Sequence, residues 1–144
     1  MAMRTYLVED NLGLRSSLIG ALEELAPVHA VGSADSQEEG AAWLSANASG
    51  WDLAIVDIFL KNGSGLKVLE ACRARDAAQK VVVFSNYATD DMRVWCAERG
   101  VDAVFDKASG IEALLAYCVR QGARLQTAEP LLKNAGRTAP RLLS

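Results

Sequence analysis

Short, almost wholly apolar runs recur along this chain, and each is separated from the next by a longer stretch with helical periodicity. The runs are Tyr6-Leu7-Val8, Val28 to Val31, Leu53 to Val56, Val81 to Phe84, and Ala103-Val104-Phe105. Several are continuous rather than alternating and rich in β-branched residues. That pattern suits strands covered on both faces, as in a parallel sheet. Five strands alternating with five helices, joined by right-handed crossovers, predict an α/β fold: a doubly wound, five-stranded parallel sheet.

The intervening segments carry helix signals. Leu14, Leu18, Leu22 and Leu25 share one face of a first helix, with Asn11 placed to cap it. Ser36 and Glu39 have capping-box spacing ahead of Ala42, Trp43 and Leu44. Ser64 precedes Leu66, Leu69 and Cys72. Thr89 precedes Asp90 and Asp91, acidic residues that suit a first turn, and Gly100 follows as a stop. Ser109 and Glu112 form a second capping-box pair before Leu114, Leu115 and Cys118. The last helix is expected to end near Gly122 to Arg124. The domain is therefore placed at 1–124, with 125–144 as a short C-terminal tail and no output domain.

The chain has 144 residues, enough for one domain that buries roughly 70% of its unfolded surface. Its formal net charge of −3 gives no basic footprint for nucleic acid. No apolar run approaches the ~20 residues that span a bilayer, and no signal peptide precedes the first strand. The three cysteines, Cys72, Cys96 and Cys118, are odd in number and form no CxxC pair. They read as buried free thiols in a reducing cytoplasm.

The polar residues at the strand ends are the informative ones. Glu9 and Asp10 close the first strand, Asp57 the third and Ser85 the fourth, while Lys107 follows the fifth. Singly, each is an ordinary turn, cap or surface residue. Together they fall outside the carboxyl ends of the strands, where open α/β sheets place their ligands. Three clustered carboxylates repel one another unless a cation sits among them. An all-oxygen set selects a hard ion such as Mg²⁺, which commonly completes its shell with phosphate. A carboxylate can attack phosphorus to give an acyl phosphate. Lys107 and the ion could then neutralise charge, and Ser85 could donate a hydrogen bond to a phosphoryl oxygen.

In order and spacing, these residues resemble the receiver domain of bacterial two-component response regulators, over about Met3 to Gln121. The matching pieces are Val8-Glu9-Asp10-Asn11, Ile55 to Leu60 with Gly63-Ser64-Gly65-Leu66, Val83-Phe84-Ser85, and Gly100 to Ala103 leading to Lys107. The resemblance implies a (βα)5 flavodoxin-like topology. It makes Asp57 the phosphoacceptor, Ser85 the switch hydroxyl and Lys107 the phosphate-facing lysine. Mg²⁺ would be held by Glu9, Asp10, Asp57 and the Phe59 carbonyl. The implied donor is a phosphohistidine on a sensor histidine kinase or histidine phosphotransfer protein, since His29 falls in the second strand. A downstream protein partner is expected, while nucleic acid and membrane are not; a homodimer stays open.

Two positions depart from the family pattern. Lys61 stands where proline is usual, which should loosen the loop after Asp57. Val104 stands where the aromatic switch residue is usual, with Phe105 one residue later, so Tyr87 becomes the substitute aromatic. Three rivals remain. A pseudo-receiver adaptor would share the fold without phosphorylation. A haloacid-dehalogenase phosphatase needs a second Asp where Phe59 stands. A flavodoxin-like cofactor binder needs a phosphate loop where Glu9-Asp10 stands.

Overall fold

The computed structural model describes residues 2–60 and 63–125. Lys61, with its expected effect on the loop, and residues 126–144 of the tail lie outside the described residues. In chain order the elements are β1 (Met3–Val8), α1 (Leu12–Leu25), β2 (Val28–Ala34), α2 (Gln37–Ala46) and β3 (Leu53–Val56). Two short strands follow, β4 (Phe59–Leu60) and β5 (Gly63–Ser64), then α3 (Leu66–Ala71), β6 (Lys80–Ser85), α4 (Asp90–Glu98) and β7 (Ala103–Asp106). A final helix, α5, covers 111–125.

The main sheet has five parallel strands, as the alternating pattern predicts, and their order β2-β1-β3-β6-β7 is the flavodoxin-like one that the resemblance implies. Successive side chains of a strand enter opposite layers. Tyr6, Val8, Ala54, Val56, Val81, Val83 and Val104 pack with Leu44, Val68, Leu69 and Cys96 of α2, α3 and α4. Leu7, Leu53, Ile55, Val82 and Phe84 pack with Leu18, Leu22, Leu114 and Cys118 of α1 and α5. Both faces are therefore covered, which is why the strand sequences are continuously apolar. All three cysteines are buried and free, and burial pushes the Cys72 and Cys118 thiols up to about 12. No helix among the described residues is long and apolar enough to cross a membrane.

The predicted caps form at three helices. Asn11, Ser36 and Thr89 accept from the backbone N–H groups of Leu14, Glu39 and Met92. Gly100 ends α4 with φ +81, and Gly100 N–H bonds Ala97 O while Val101 N–H bonds Cys96 O. This is a Schellman ending, and its left-handed residue favours glycine.

Several expectations need correction. The residue before α5 is Gly110, not Ser109; Gly110 O accepts the first helical bond from Leu114 N–H, and Ser109 N–H instead donates to Asp106 Oδ1. Likewise Gly65, not Ser64, precedes α3, although Ser64 Oγ still accepts from Leu66 N–H at 3.3 Å. Leu25 is exposed; Ala26 rather than Leu25 packs against the core at the end of α1. The second strand continues past Val31 to Ala34, because Gly32 and Ser33 keep pairing with β1 across an irregularity between Thr5 and Tyr6. The antiparallel β4–β5 hairpin was not expected.

Candidate functional site

Register sets the site. Val8 pairs with Val56, so Glu9 and Asp57 leave adjacent strands side by side. Asp57 N–H donates to Val8 O at 2.9 Å, extending the ladder by one residue. On the other side Ser85 pairs with Asp106, and Lys107 N–H donates to Ser85 O at 2.9 Å. The four strand ends meet where the sheet's winding reverses, at the β1–β3 boundary. Below Asp57, Gly65 supplies clearance: a Cβ there would lie 2.9 Å from Ile58 Cα and 3.0 Å from Asp57 O. Only glycine lets the start of α3 press this closely on the end of β3.

The side chains converge as their positions predict. Glu9, Asp10 and Asp57 each offer a carboxylate oxygen within 4.8 Å of the others. Lys107 Nζ reaches between two of them, 2.7 Å from Asp57 Oδ2 and 2.5 Å from Glu9 Oε1. The remaining oxygens are held by backbone: Glu9 Oε2 accepts from Asn11 N–H and Asp57 Oδ1 from Phe59 N–H, both at 3.0 Å. Asn11 thus caps α1 with its side chain and orients Glu9 with its N–H. Sequence reading assigned it only the first task.

Lys107 is 10% exposed at its side chain. Burial pulls its pKa down, but its hydrogen bonds to Asp57 and Glu9, with their charges, outweigh that and leave it raised. The ammonium is therefore firmly charged. That ammonium meets two of the three clustered carboxylates directly, Glu9 and Asp57. The donor set is all oxygen, partly buried and closely spaced, which fits a small hard cation.

Ser85 is fully buried, and its Oγ accepts from Tyr87 N–H at 3.1 Å. Phe59 and Tyr87 form an edge-to-face pair beside the site, with ring centroids 4.8 Å apart. Val104 points into the α4 layer, whereas Phe105 points the other way and meets Tyr117 of α5. Strand alternation therefore prevents Phe105 from replacing an aromatic at 104. One contact was missed from sequence: Arg93 of α4 donates to Val104 O at 2.8 Å. Spacing along the chain carried no signal for it. His29 is a surface residue on edge strand β2, with Nδ1 3.6 Å from Glu23 Oε2.

The family model for the response regulator receiver domain matches residues 6–118, and the chain belongs to that family. It is thus a receiver domain, a phosphoacceptor switch class rather than a turnover enzyme class. Solved structures agree on the fold. The signal receiver domain of a putative Luxo repressor protein from Vibrio parahaemolyticus is 18% identical, with TM-score 0.74, covering 91% of this chain and 98% of its own. The receiver domain of a putative response regulator NarL from Mycobacterium tuberculosis is 20% identical, with TM-score 0.69 and coverages of 83% and 97%. A third, solved as a CheX-CheY-BeF3-Mg²⁺ complex from Borrelia burgdorferi, is 16% identical, with TM-score 0.70 and coverages of 79% and 84%. Comparison with curated proteins gives no match.

Proposed function

We propose that Asp57 accepts a phosphoryl group from a partner's phosphohistidine in a Mg²⁺-dependent reaction, and that the chain signals by the change in conformation that follows. One observation carries this reading: Lys107 Nζ lies 2.7 Å from Asp57 Oδ2 at the edge of an oxygen cluster within 4.8 Å. Glu9, Asp10, Asp57 and the Phe59 carbonyl would hold the ion, which when bound supplies positive charge to the phosphoryl oxygens. An Asp57 oxygen donates its electron pair to phosphorus as the P–N bond to the imidazole breaks. The imidazole nitrogen keeps that bond's electrons, and because the donor ring's other nitrogen already carries a proton, the leaving group is the neutral imidazole. Lys107 offsets charge on the transferring group, and Ser85 donates a hydrogen bond to one of its oxygens.

A sensor histidine kinase or histidine phosphotransfer protein is the matching donor, because the chain's own His29 sits on the sheet edge rather than at the site. At the level of fold, the Borrelia neighbour's beryllofluoride and magnesium support the reading. Division into a receiver over 1–124 and a tail over 125–144 belongs to the same proposal. Val104 keeps a second reading in view, a pseudo-receiver that binds partners without phosphorylation.

Mass spectrometry after incubation with acetyl phosphate and Mg²⁺ separates the two. One added phosphoryl mass, absent in Asp57→Ala and absent in excess chelator, is the expected result. Stoichiometric labelling that persists in Asp57→Ala would refute the assignment, and no labelling of wild type would favour the pseudo-receiver.

A further inference from the structure

Two backbone N–H groups hang on side-chain oxygens that the proposed chemistry recruits. Phe59 N–H donates to Asp57 Oδ1 at 3.0 Å, and Tyr87 N–H donates to Ser85 Oγ at 3.1 Å. The two residues held in this way touch each other edge to face, although Phe59 is 49% and Tyr87 59% exposed. Phe59 also forms a wall of an apolar groove of about 380 Å³, with Ile58, Met92 and Trp95 beside it. Among the described residues, the charged one lining that groove is Asp91, and Asp90 adjoins it in the first turn of α4.

We propose that this groove docks a partner segment bearing a leucine-like side chain next to Lys or Arg, and that the Phe59–Tyr87 pair is a lip that opens when Asp57 is phosphorylated. The inference rests on the phosphoacceptor reading above. An acyl phosphate moves the negative charge from the carboxylate to the phosphoryl oxygens. Phe59 N–H then loses a charge-assisted acceptor, whichever Asp57 oxygen carries the phosphorus. Ser85, turning to donate to the phosphoryl group, shifts the acceptor of Tyr87 N–H. Both anchors of the ring pair thus weaken in one chemical event. The partner's charge follows from Asp90 and Asp91 at the groove: a basic flank is attracted and an acidic one repelled. The apolar walls call for an aliphatic anchor.

The test uses the full chain, free and with beryllofluoride plus Mg²⁺, and two synthetic amphipathic peptides. Both carry leucines at helical spacing; one has lysines on its polar positions, the other glutamates. NMR titration should show the lysine peptide saturating shifts at Ile58, Met92 and Trp95, about fivefold tighter with beryllofluoride than without. The glutamate peptide should bind at least about tenfold more weakly. In Phe59→Ala with Tyr87→Ala, the two states should bind the lysine peptide equally. Met92→Glu should weaken it in both.

Equal binding of the two peptides, or shifts confined to other surfaces, would overturn the groove assignment. A wild-type ratio of one between the two states, in a sample that acetyl phosphate labels normally, would overturn the lip alone. Failure of labelling would instead sink the phosphoacceptor reading, and the lip with it. Groove signals that shift with protein concentration in the absence of peptide would identify a second copy as the occupant and overturn the peptide assignment.

Discussion

The two edges of the sheet treat charge in opposite ways. At the edge where the strands begin, Arg4 and Asp52 pair one to one, with Arg4 N–H also donating to Asp52 Oδ2 at 2.7 Å. There Arg75 pairs with Asp102 and donates to the carbonyls of Cys72, Gln79 and Gly100. Asp102 Oδ2 accepts in addition from Val81 N–H at 2.8 Å. Every one of these charges has a counter-charge and ties loops to strands. At the edge where the strands end, three carboxylates gather within 4.8 Å and the Lys107 ammonium bridges two of them, Glu9 and Asp57. Close like charges disfavour ionisation and folding alike. One edge uses its carboxylates in structural ion pairs, while the other gathers three within 4.8 Å around Lys107, an arrangement that supports the cation and phosphoryl group proposed above.

The sharpest break of that comparison uses one aspartate from each edge. Asp57→Asn should abolish acetyl-phosphate labelling while changing stability by no more than about 1 kcal/mol, since the amide oxygen can still accept from Phe59 N–H. Asp102→Ala should do the reverse. It removes Arg75's counter-charge and strands Val81 N–H, and should cost about 2–3 kcal/mol in urea unfolding, with labelling intact in the folded protein. Labelling lost in both, or stability lost equally, would erase the distinction between the edges.

The charge of the cluster can also be tested directly. Asp10→Asn should weaken Mg²⁺ binding about thirtyfold, or ~2 kcal/mol, and slow labelling in parallel. Lys107→Ala removes the ammonium paired with Glu9 and Asp57, so it should bind Mg²⁺ more tightly than wild type yet lose the fluorescence or chemical-shift response to beryllofluoride. Its raised pKa also gives a pH signature. A lysine whose folded pKa exceeds the unfolded value of 10.5 stabilises fully below that value and loses its contribution as pH rises through the folded one. The melting-temperature gap between wild type and Lys107→Ala should therefore hold constant up to about pH 10 and change only above it. A gap that already varies between pH 6 and 9 would place the effect elsewhere.

How far the sequence could be read follows from what each feature depends on. The sheet and the placement of Glu9, Asp57, Ser85 and Lys107 at one edge were legible because apolar runs mark strands and strand ends mark one edge. The Asn11, Ser36 and Thr89 caps are local and were legible too. Contacts between distant segments were not. Nothing along the chain announces that Arg93 reaches Val104 O, that Asn11 N–H holds Glu9, or that the rings of Phe59 and Tyr87 meet. Gly110 displaced Ser109 as the residue before α5 because Asp106 Oδ1, at the end of β7, takes the turn's N–H groups.

The ring pair gives the smallest and most specific effect. Loss of phosphate from an acyl phosphate needs a water held in line with the bond that breaks. Phe59 and Tyr87 flank the acidic cluster, two residues after Asp57 and Ser85 respectively. Phe59 has no polar atom to orient a water, and the Tyr87 hydroxyl sits at the far end of its ring. This deficit is one of chemistry rather than of access, so it persists even if the rings part on phosphorylation. Phospho-Asp57 should accordingly be long-lived. Phe59→Asn with Tyr87→Glu supplies an amide and a carboxylate at the same places and should lose phosphate about tenfold faster, equivalent to ~1.4 kcal/mol in the barrier. Phe59→Leu with Tyr87→Leu, which removes the rings but adds no polar group, should stay within about twofold of wild type on the same reasoning. If the leucine pair hydrolyses as fast as the polar pair, the rings act by blocking water rather than by failing to hold it.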